Sequence, residues 1–326
     1  MLAALKSSIK KLPFIRRLVA DRDKLQQANI ALTAELASRN SELTGLKRDM
    51  GFVPPGHFYS PIPALDEIRN AELRIFRDVG RDSAGPNLHE EEQLTLLETL
   101  ASYYDDIPFP PQKVDGLRYY YDNDAYSYSD AILLHCMIRF LKPARIIEIG
   151  SGFSSCVTLD TNELFFAGSI ETTFIEPYPQ LLTSLIKEKD KNSLRVTPHR
   201  VQDVDLSEFA ALVADDILFV DSTHVSKVGS DVNHIVFDIL PLLAKGVYVH
   251  FHDIFHPFEY PKEWIFAGRA WNEAYLLRAF LQYNDAFRVV LMNSFMQRYH
   301  EPFFRQRMPL CLKNPGGSLW ICKTGE

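Results

Sequence analysis

The sequence has no stretch of about twenty uncharged apolar residues, so no segment reads as a membrane-spanning helix. A secretory leader is not expected either, because Lys6, Lys10, Lys11, Arg16 and Arg17 interrupt any apolar core near residue 1. Positive charge is not in excess. Against 42 Asp and Glu stand 35 Lys and Arg, and the resulting −7 argues against wrapping nucleic acid. Cysteine is scarce. Cys136, Cys156, Cys311 and Cys322 form no CxxC pair and read as free thiols of a reducing compartment, which implies a cytoplasmic protein. No internal repeat is visible. Apolar residues, by contrast, make up 46% of the 326, enough for a large core.

The chain changes character four times. Residues 1–24 carry seven Lys and Arg against two Asp, with Leu2, Leu5, Ile9 and Leu12 at helical spacing. They read as a frayed basic end or as a helix with weak membrane-surface contact, which would place the protein peripheral to a membrane. Leucines then step by seven. Leu25, Leu32 and Leu46 fit one seam, and Leu36, Leu43 and Met50 the other, with Asn29 and Arg39 as polar breaks. This is a coiled-coil pattern about 50 Å long, suited to homo-oligomerisation. Residues 1–50 are therefore assigned to a basic helix and coil, and 51–63, rich in Pro and Gly, to a hinge. Residues 64–142 form a helical, tyrosine-rich lid region with helices near 64–78 and 89–104 and a third one capped by Ser129. The tyrosines from Tyr119 to Tyr128 either cover a ligand or build core.

From 143 to 326 short apolar runs alternate with helical stretches: RIIEIG, TTFIEP, LRVTP, DILFVD, GVYVHFHD. This predicts an α/β domain with a doubly wound, Rossmann-like, mostly parallel sheet. FRVVLMN and GSLWICK follow without a full helix between them, so one of the two should run antiparallel.

RIIEIGSGFSS reads as a strand, a tight turn through Gly150, Ser151 and Gly152, and a helix. Ligands of such sheets bind at the carboxyl ends of strands, and glycine there permits close approach. Glu176 follows the next strand, where a carboxylate can accept from both ribose hydroxyls of a nucleoside cofactor. The dinucleotide fingerprint is incomplete, because Ser155 stands at the third glycine position. Glu148, two residues before Gly150, would repel a pyrophosphate but suits a cationic amino group. A nicotinamide cofactor is thus disfavoured, and S-adenosylmethionine, with its amine and sulfonium, is favoured.

Two further strands end on chemistry. Asp221 closes DILFVD with His224 three residues on, and His252 and Asp253 close GVYVHFHD. Neighbouring strands would bring all four beside the transferred methyl. Asp221 and Asp253, with His252, can hold a divalent cation such as Mg or Mn, and His224 can act as general base. Such a pairing suits an alcohol acceptor, whose hydroxyl is too weak an acid to ionise alone. His250 shares a sheet face with His252 and reads as a buried, paired histidine. His256 and Glu259 could line an acceptor cleft, Lys227 reads as a surface residue, and Asp231 as the cap or first-turn acid of a helix.

E-x-G-x-G followed by an acid after the second strand resembles the class I S-adenosylmethionine-dependent methyltransferases. D-x-x-H after the fourth strand with a charged pair after the fifth resembles their metal-dependent sugar O-methyltransferases, the macrocin O-methyltransferase and cephalosporin hydroxylase-like group. The resemblance covers about residues 115–326. It implies a seven-stranded sheet of order 3-2-1-4-5-7-6 and a cofactor site of Glu148, Gly150, Ser151, Gly152, Glu176 and Asp221, with Gln202 or Asp203 near the adenine. It also implies metal ligands Asp221, His252 and Asp253, with His224 as base. The pair here is His252-Asp253 where two acids are usual, which favours a softer ion than magnesium. The expected activity is methyl transfer to a hydroxyl of a small molecule or glycan. The alternatives are a hydroxylase-like enzyme on the same fold and a non-catalytic coiled-coil scaffold with a vestigial cleft.

Overall fold

The computed structural model describes residues 13–49, 51–81 and 85–325. The basic stretch 1–12 and Met50 lie outside them. Contacts divide the chain into two units, 1–72 and 73–326.

The first unit carries α1, Pro13–Asp49, a single uninterrupted helix of 37 residues. Leu18, Leu25, Leu32, Leu36 and Leu43 are exposed along it, whereas the side chains of Leu46 and Met50 lie outside the described residues. In the hinge sequence, Phe52, His57, Phe58 and Tyr59 cluster ring against ring. The helix expected near 64–78 is two short ones, Leu65–Asn70 and Glu72–Ile75.

The second unit is built on seven strands: β1 Arg145–Ile149, β2 Glu171–Ile175, β3 Arg195–Thr197, β4 Ile217–Val220, β5 Tyr248–Phe251, β6 Phe287–Met292 and β7 Leu319–Lys323. Their order is β3-β2-β1-β4-β5-β7-β6, as the resemblance implied. β1 to β5 are parallel, and β7 runs antiparallel to both β5 and β6. β4 and β7 are buried along their whole length, which is why they read as continuous apolar runs. Two helices, Asn293–Tyr299 and Glu301–Arg307, fill the β6–β7 connection where none was expected.

Register decides what the sheet presents. Ile175 pairs with Ile149, Ile149 with Val220, and Val220 with Phe251. The next residue on each strand therefore falls in one row at the carboxyl edge: Glu176, Gly150, Asp221, His252. Backbone bonds continue across this row, from Gly150 N–H to Ile175 O (3.0 Å), Asp221 N–H to Ile149 O (2.8 Å) and His252 N–H to Val220 O (2.9 Å).

Ahead of the sheet, α2 (Glu90–Leu100) and α3 (Tyr128–Leu141) pack into the core. Ser129 is not the cap of α3. The helix starts at Tyr128 with Ser127 at the cap position, and the Ser129 N–H is satisfied by Asn314 Oδ1 at 2.7 Å. Inside the first turn, Asp130 accepts from Gly317 N–H (3.0 Å), Asn293 Nδ2 (3.1 Å) and the Ser318 hydroxyl, tying α3 to the start of β7. The tyrosine stretch is mostly core. Tyr119, Tyr121, Tyr126 and Tyr128 are buried, and Tyr121 stacks on Tyr128 at 4.5 Å.

One buried ionic cluster fastens the segment before α3 to the helix after β1 and to the 3-10 turn Glu188–Asn192. Arg118 Nε and Nη2 donate to Asp190 at 2.7 and 2.6 Å, and Nη1 donates to Asp160 at 2.7 Å. Asp160 sits on α4, Phe153–Phe166, and its other oxygen accepts from the Arg118 and Tyr119 N–H groups. Glu163, paired with Lys187, Lys189 and Arg118, is held down to about 2 by those donors against the opposing effect of burial. Arg118→Met leaves Asp160 and Asp190 uncompensated and should cost about 3–5 kcal/mol in a urea titration followed by circular dichroism. A depressed carboxylate stabilises above its unfolded pKa, so part of the wild-type stability should also drain away as pH falls from about 4.5 towards 2.

Candidate active site

At the carboxyl edge, β1 and β4 come so close that only glycine fits between them. Gly150 has φ +87, and a Cβ there would run into the Asp221 carbonyl. Strand β1 delivers Glu148 fully buried below this turn. Its Oε1 accepts from Ser154 Oγ (2.6 Å) and Ser155 Oγ (2.9 Å), and Ser155 Oγ in turn accepts from Gly152 N–H at 3.0 Å. The residue at the third glycine position is therefore what braces the turn. Glu148 Oε2 and Ser151 Oγ are buried without a partner. Burial raises the Glu148 carboxyl to about 8 despite the two serine bonds. An orphaned carboxylate oxygen under a glycine turn has the chemistry to receive a cationic amine.

Glu176 is half-buried, with Oε1 on the Tyr178 N–H at 2.7 Å. Gln202 turns its amide to the Gly229 carbonyl at 2.9 Å. Asp203 faces elsewhere: it is exposed, bound to Arg200 at 3.0 and 3.2 Å, and lines a shallow cleft with Thr173 and Glu208. Of the two adenine-side candidates only Gln202 is not held in a surface ion pair.

The second group converges. His224, in a left-handed conformation (φ 58), is buried in the loop after β4. Its Nδ1 meets Glu273 Oε2 at 2.8 Å, and its Nε2 lies 3.4 Å from Asp221 Oδ1 and 3.7 Å from Asp253 Oδ2. The ring leans on Trp271, centroid to centroid 4.3 Å. Burial opposes a charge on His224, but hydrogen bonds with Asp221 and Glu273 lift its pKa to about 10. The unperturbed histidine of the sequence reading is thus replaced by one that rests as an imidazolium. Asp221 is pulled below its usual range, against desolvation, by His224 and His252, whereas burial pushes Asp253 up. His252 is buried with Nε2 3.5 Å from Asp253 Oδ1 and its ring against Tyr126 at 5.0 Å.

The fit to a metal is poor. The Nε2 of His224 occupies the space between Asp221 and Asp253, and among the described residues no three His, Cys, Asp or Glu side chains are grouped to hold an ion. His250 is buried, but neither ring nitrogen has a partner; it is held by stacking on Phe219 at 4.0 Å and by the edge of Trp320 at 4.8 Å. Burial leaves it uncharged. Lys227 is exposed, and Asp231 is a first-turn acid whose carboxylate takes the Thr223 N–H at 2.7 Å and hydroxyl at 2.6 Å.

Glu273 was not found from sequence. It stands 49 positions from His224 in the string WNEAYLL, where a glutamate opening an amphipathic helix looks like a first-turn acid. Its burial and its bond from Ser222 Oγ (3.0 Å) are visible only in three dimensions. Trp271 was equally silent.

The profile of a methyltransferase domain matches residues 147–254, which span β1 to the loop after β5. An uncharacterised protein of Archaeoglobus fulgidus is 40% identical over 171 residues, covering 51% of this chain and 76% of that protein. Among solved structures, the O-methyltransferase TomG of Streptomyces achromogenes, in complex with SAM, aligns over 80% of this chain and 96% of its own at 15% identity and TM-score 0.41. The SAH-bound methyltransferase PaMTH1 of Podospora anserina aligns over 84% and 99% at 14% identity and TM-score 0.39. With a methyltransferase-domain match over residues 147–254, a 3-2-1-4-5-7-6 sheet and a glycine turn over a buried acid, the chain is similar to the S-adenosylmethionine-dependent methyltransferases.

Proposed function

We propose that this enzyme methylates a hydroxyl group, on a sugar or other polyhydroxylated acceptor, with His224 as the base. The observation that carries the reading is the buried Glu273–His224 pair, whose Nε2 faces the carboxyl edge between Asp221 and Asp253. An alkyl hydroxyl is a far weaker acid than a thiol or an ammonium group, so of these acceptors it depends most on a base that takes its proton as the new bond forms.

The residues fit the cofactor as follows. Glu148 would receive the amine, the Gly150–Gly152 turn would let the chain approach it, Glu176 would accept from the ribose, and Gln202 would border the adenine. Bound there, S-adenosylmethionine supplies a methyl group on a sulfonium, an electrophile that needs only an oriented nucleophile. Glu273 fixes the His224 ring so that Nε2, in its neutral form, takes the hydroxyl proton. Asp253, with its raised pKa, can hold the acceptor by accepting or donating a hydrogen bond. No metal step enters, because no donor set for one is grouped among the described residues.

The exposed leucine seam of α1 supports a further part of the reading, a homo-oligomer joined through that helix.

Calorimetric titration of S-adenosylmethionine into the Glu176→Ala variant should show Kd raised at least about tenfold, since a charged hydrogen bond is worth about 1.5–3 kcal/mol. Unchanged affinity would remove Glu176 from the site. The pH profile tests the base. The neutral form of His224 grows with pH, so kcat/KM should climb from pH 7 towards about 10. Glu273→Gln removes a negative charge beside the ring, lowers its pKa and should move the profile to lower pH; an unmoved profile would sink the assignment. In sedimentation, Leu25→Asp with Leu32→Asp should lower the mass of the full chain to that of a monomer.

A further inference from the structure

A large cavity lies outside the catalytic residues described so far. It has a volume of about 910 Å³ and is lined by Arg74, Arg77, Arg81 and Arg278, together with His256 and Glu259 from the loop after β5. All belong to the second unit. Four guanidiniums face two carboxylates here, and both carboxylates already have donors. Glu259 accepts from Tyr275 Oη (2.5 Å) and Tyr260 N–H (3.0 Å), and Glu90 accepts from Arg81 Nε (2.7 Å) and pairs with His300. No carboxylate among the described residues pairs with Arg74 or Arg77. Both ring nitrogens of His256 are buried without a partner, and burial keeps the ring neutral at pH 7, with a pKa lowered to about 4.

The loop that carries Asp253 runs straight into this wall. Three residues of chain span at most about 11 Å, so His256 is no farther than that from Asp253. A ligand seated against His256 therefore lies within about 11 Å of the chain at Asp253.

We infer that this cavity is the acceptor's anion subsite, and that the methylated molecule carries a phosphate or diphosphate several bonds from its reacting hydroxyl. The inference rests on the hydroxyl-acceptor reading above and narrows it to phosphorylated sugars in solution. Arginine suits this role because its planar fork meets two phosphate oxygens at once. The neutral His256 adds a hydrogen-bond donor. The volume is far too large for a lone phosphate and is within the range of pockets for drug-sized ligands. Phosphate held at this distance leaves the catalytic cluster of Asp221, Asp253 and Glu273 free of a second anion, which those acids would repel.

The test uses the full chain saturated with S-adenosylhomocysteine and titrated calorimetrically with inorganic pyrophosphate. Wild type should bind with a submillimolar Kd that weakens with added salt. Arg74→Gln with Arg77→Gln should weaken binding at least tenfold while leaving S-adenosylmethionine affinity unchanged. No pyrophosphate binding, or equal binding by the double variant, overturns the inference. So does co-sedimentation with phosphatidylglycerol vesicles, lost in the double variant, when pyrophosphate does not bind, because the arginines then serve a membrane. Loss of cofactor binding in wild type would instead strike the methyltransferase site, so the two failures are distinguishable.

Discussion

The approach of β1 to β4 at Gly150 is the constraint on which the site depends. With the Asp221 carbonyl where a Cβ would stand, the chain must turn through a left-handed glycine, and α4 must begin at Phe153. That start aims the first turn of α4 back at the sheet, which is how Ser154 and Ser155 reach Glu148. The same closeness sets Asp221 level with Gly150, so the acid after β4 and the glycine turn after β1 border one crevice. Parallel pairing then places His252 next in the row.

Charge is sorted along this edge. The groups that act on His224 and His252 are Glu273, Asp221, Asp253 and Asp130, a predominantly acidic neighbourhood. Such a place favours a cofactor with an amine and a sulfonium and holds a histidine charged until something cationic or deprotonating arrives. Beyond the loop after β5 the sign reverses, and arginines line the wall. Two regions of opposite field within one short loop can seat a molecule pair by charge before any close fit is made.

How much of this was legible depends on whether a residue's role is local. Strand ends were readable because an apolar run that stops at Glu176, Asp221 or His252-Asp253 marks both the strand and its chemistry. The order of β6 and β7 came by resemblance and not from pattern. Residues whose partners are distant in sequence could not be read. Arg118 meets Asp160 and Asp190, 42 and 72 positions away, and Glu273 meets His224 across 49. The tyrosines could be read two ways, because aromatic rings with hydroxyls suit a ligand as well as a core; Tyr119 spends its hydroxyl on the Tyr126 carbonyl at 2.7 Å inside the core. His224 misled: its type suggests titration near neutrality, and only the three carboxylates around it show otherwise.

The antiparallel β7 has a consequence for the order of folding. It lies between β5 and β6 although it follows both in the chain. When β5 has emerged from a ribosome, its outer edge offers unpaired backbone groups to any passing strand. β6 cannot cover that edge, because its own place is one strand further out. Helix α3 waits as well, since among the described residues the Asp130 carboxylate receives its donors from Asn293, Gly317 and Ser318. Until β7 has been made, the crevice therefore rests on an open sheet. A nascent chain stalled after β6 would be a strong client for a chaperone, and the finished enzyme would owe the closure of this sheet to β7.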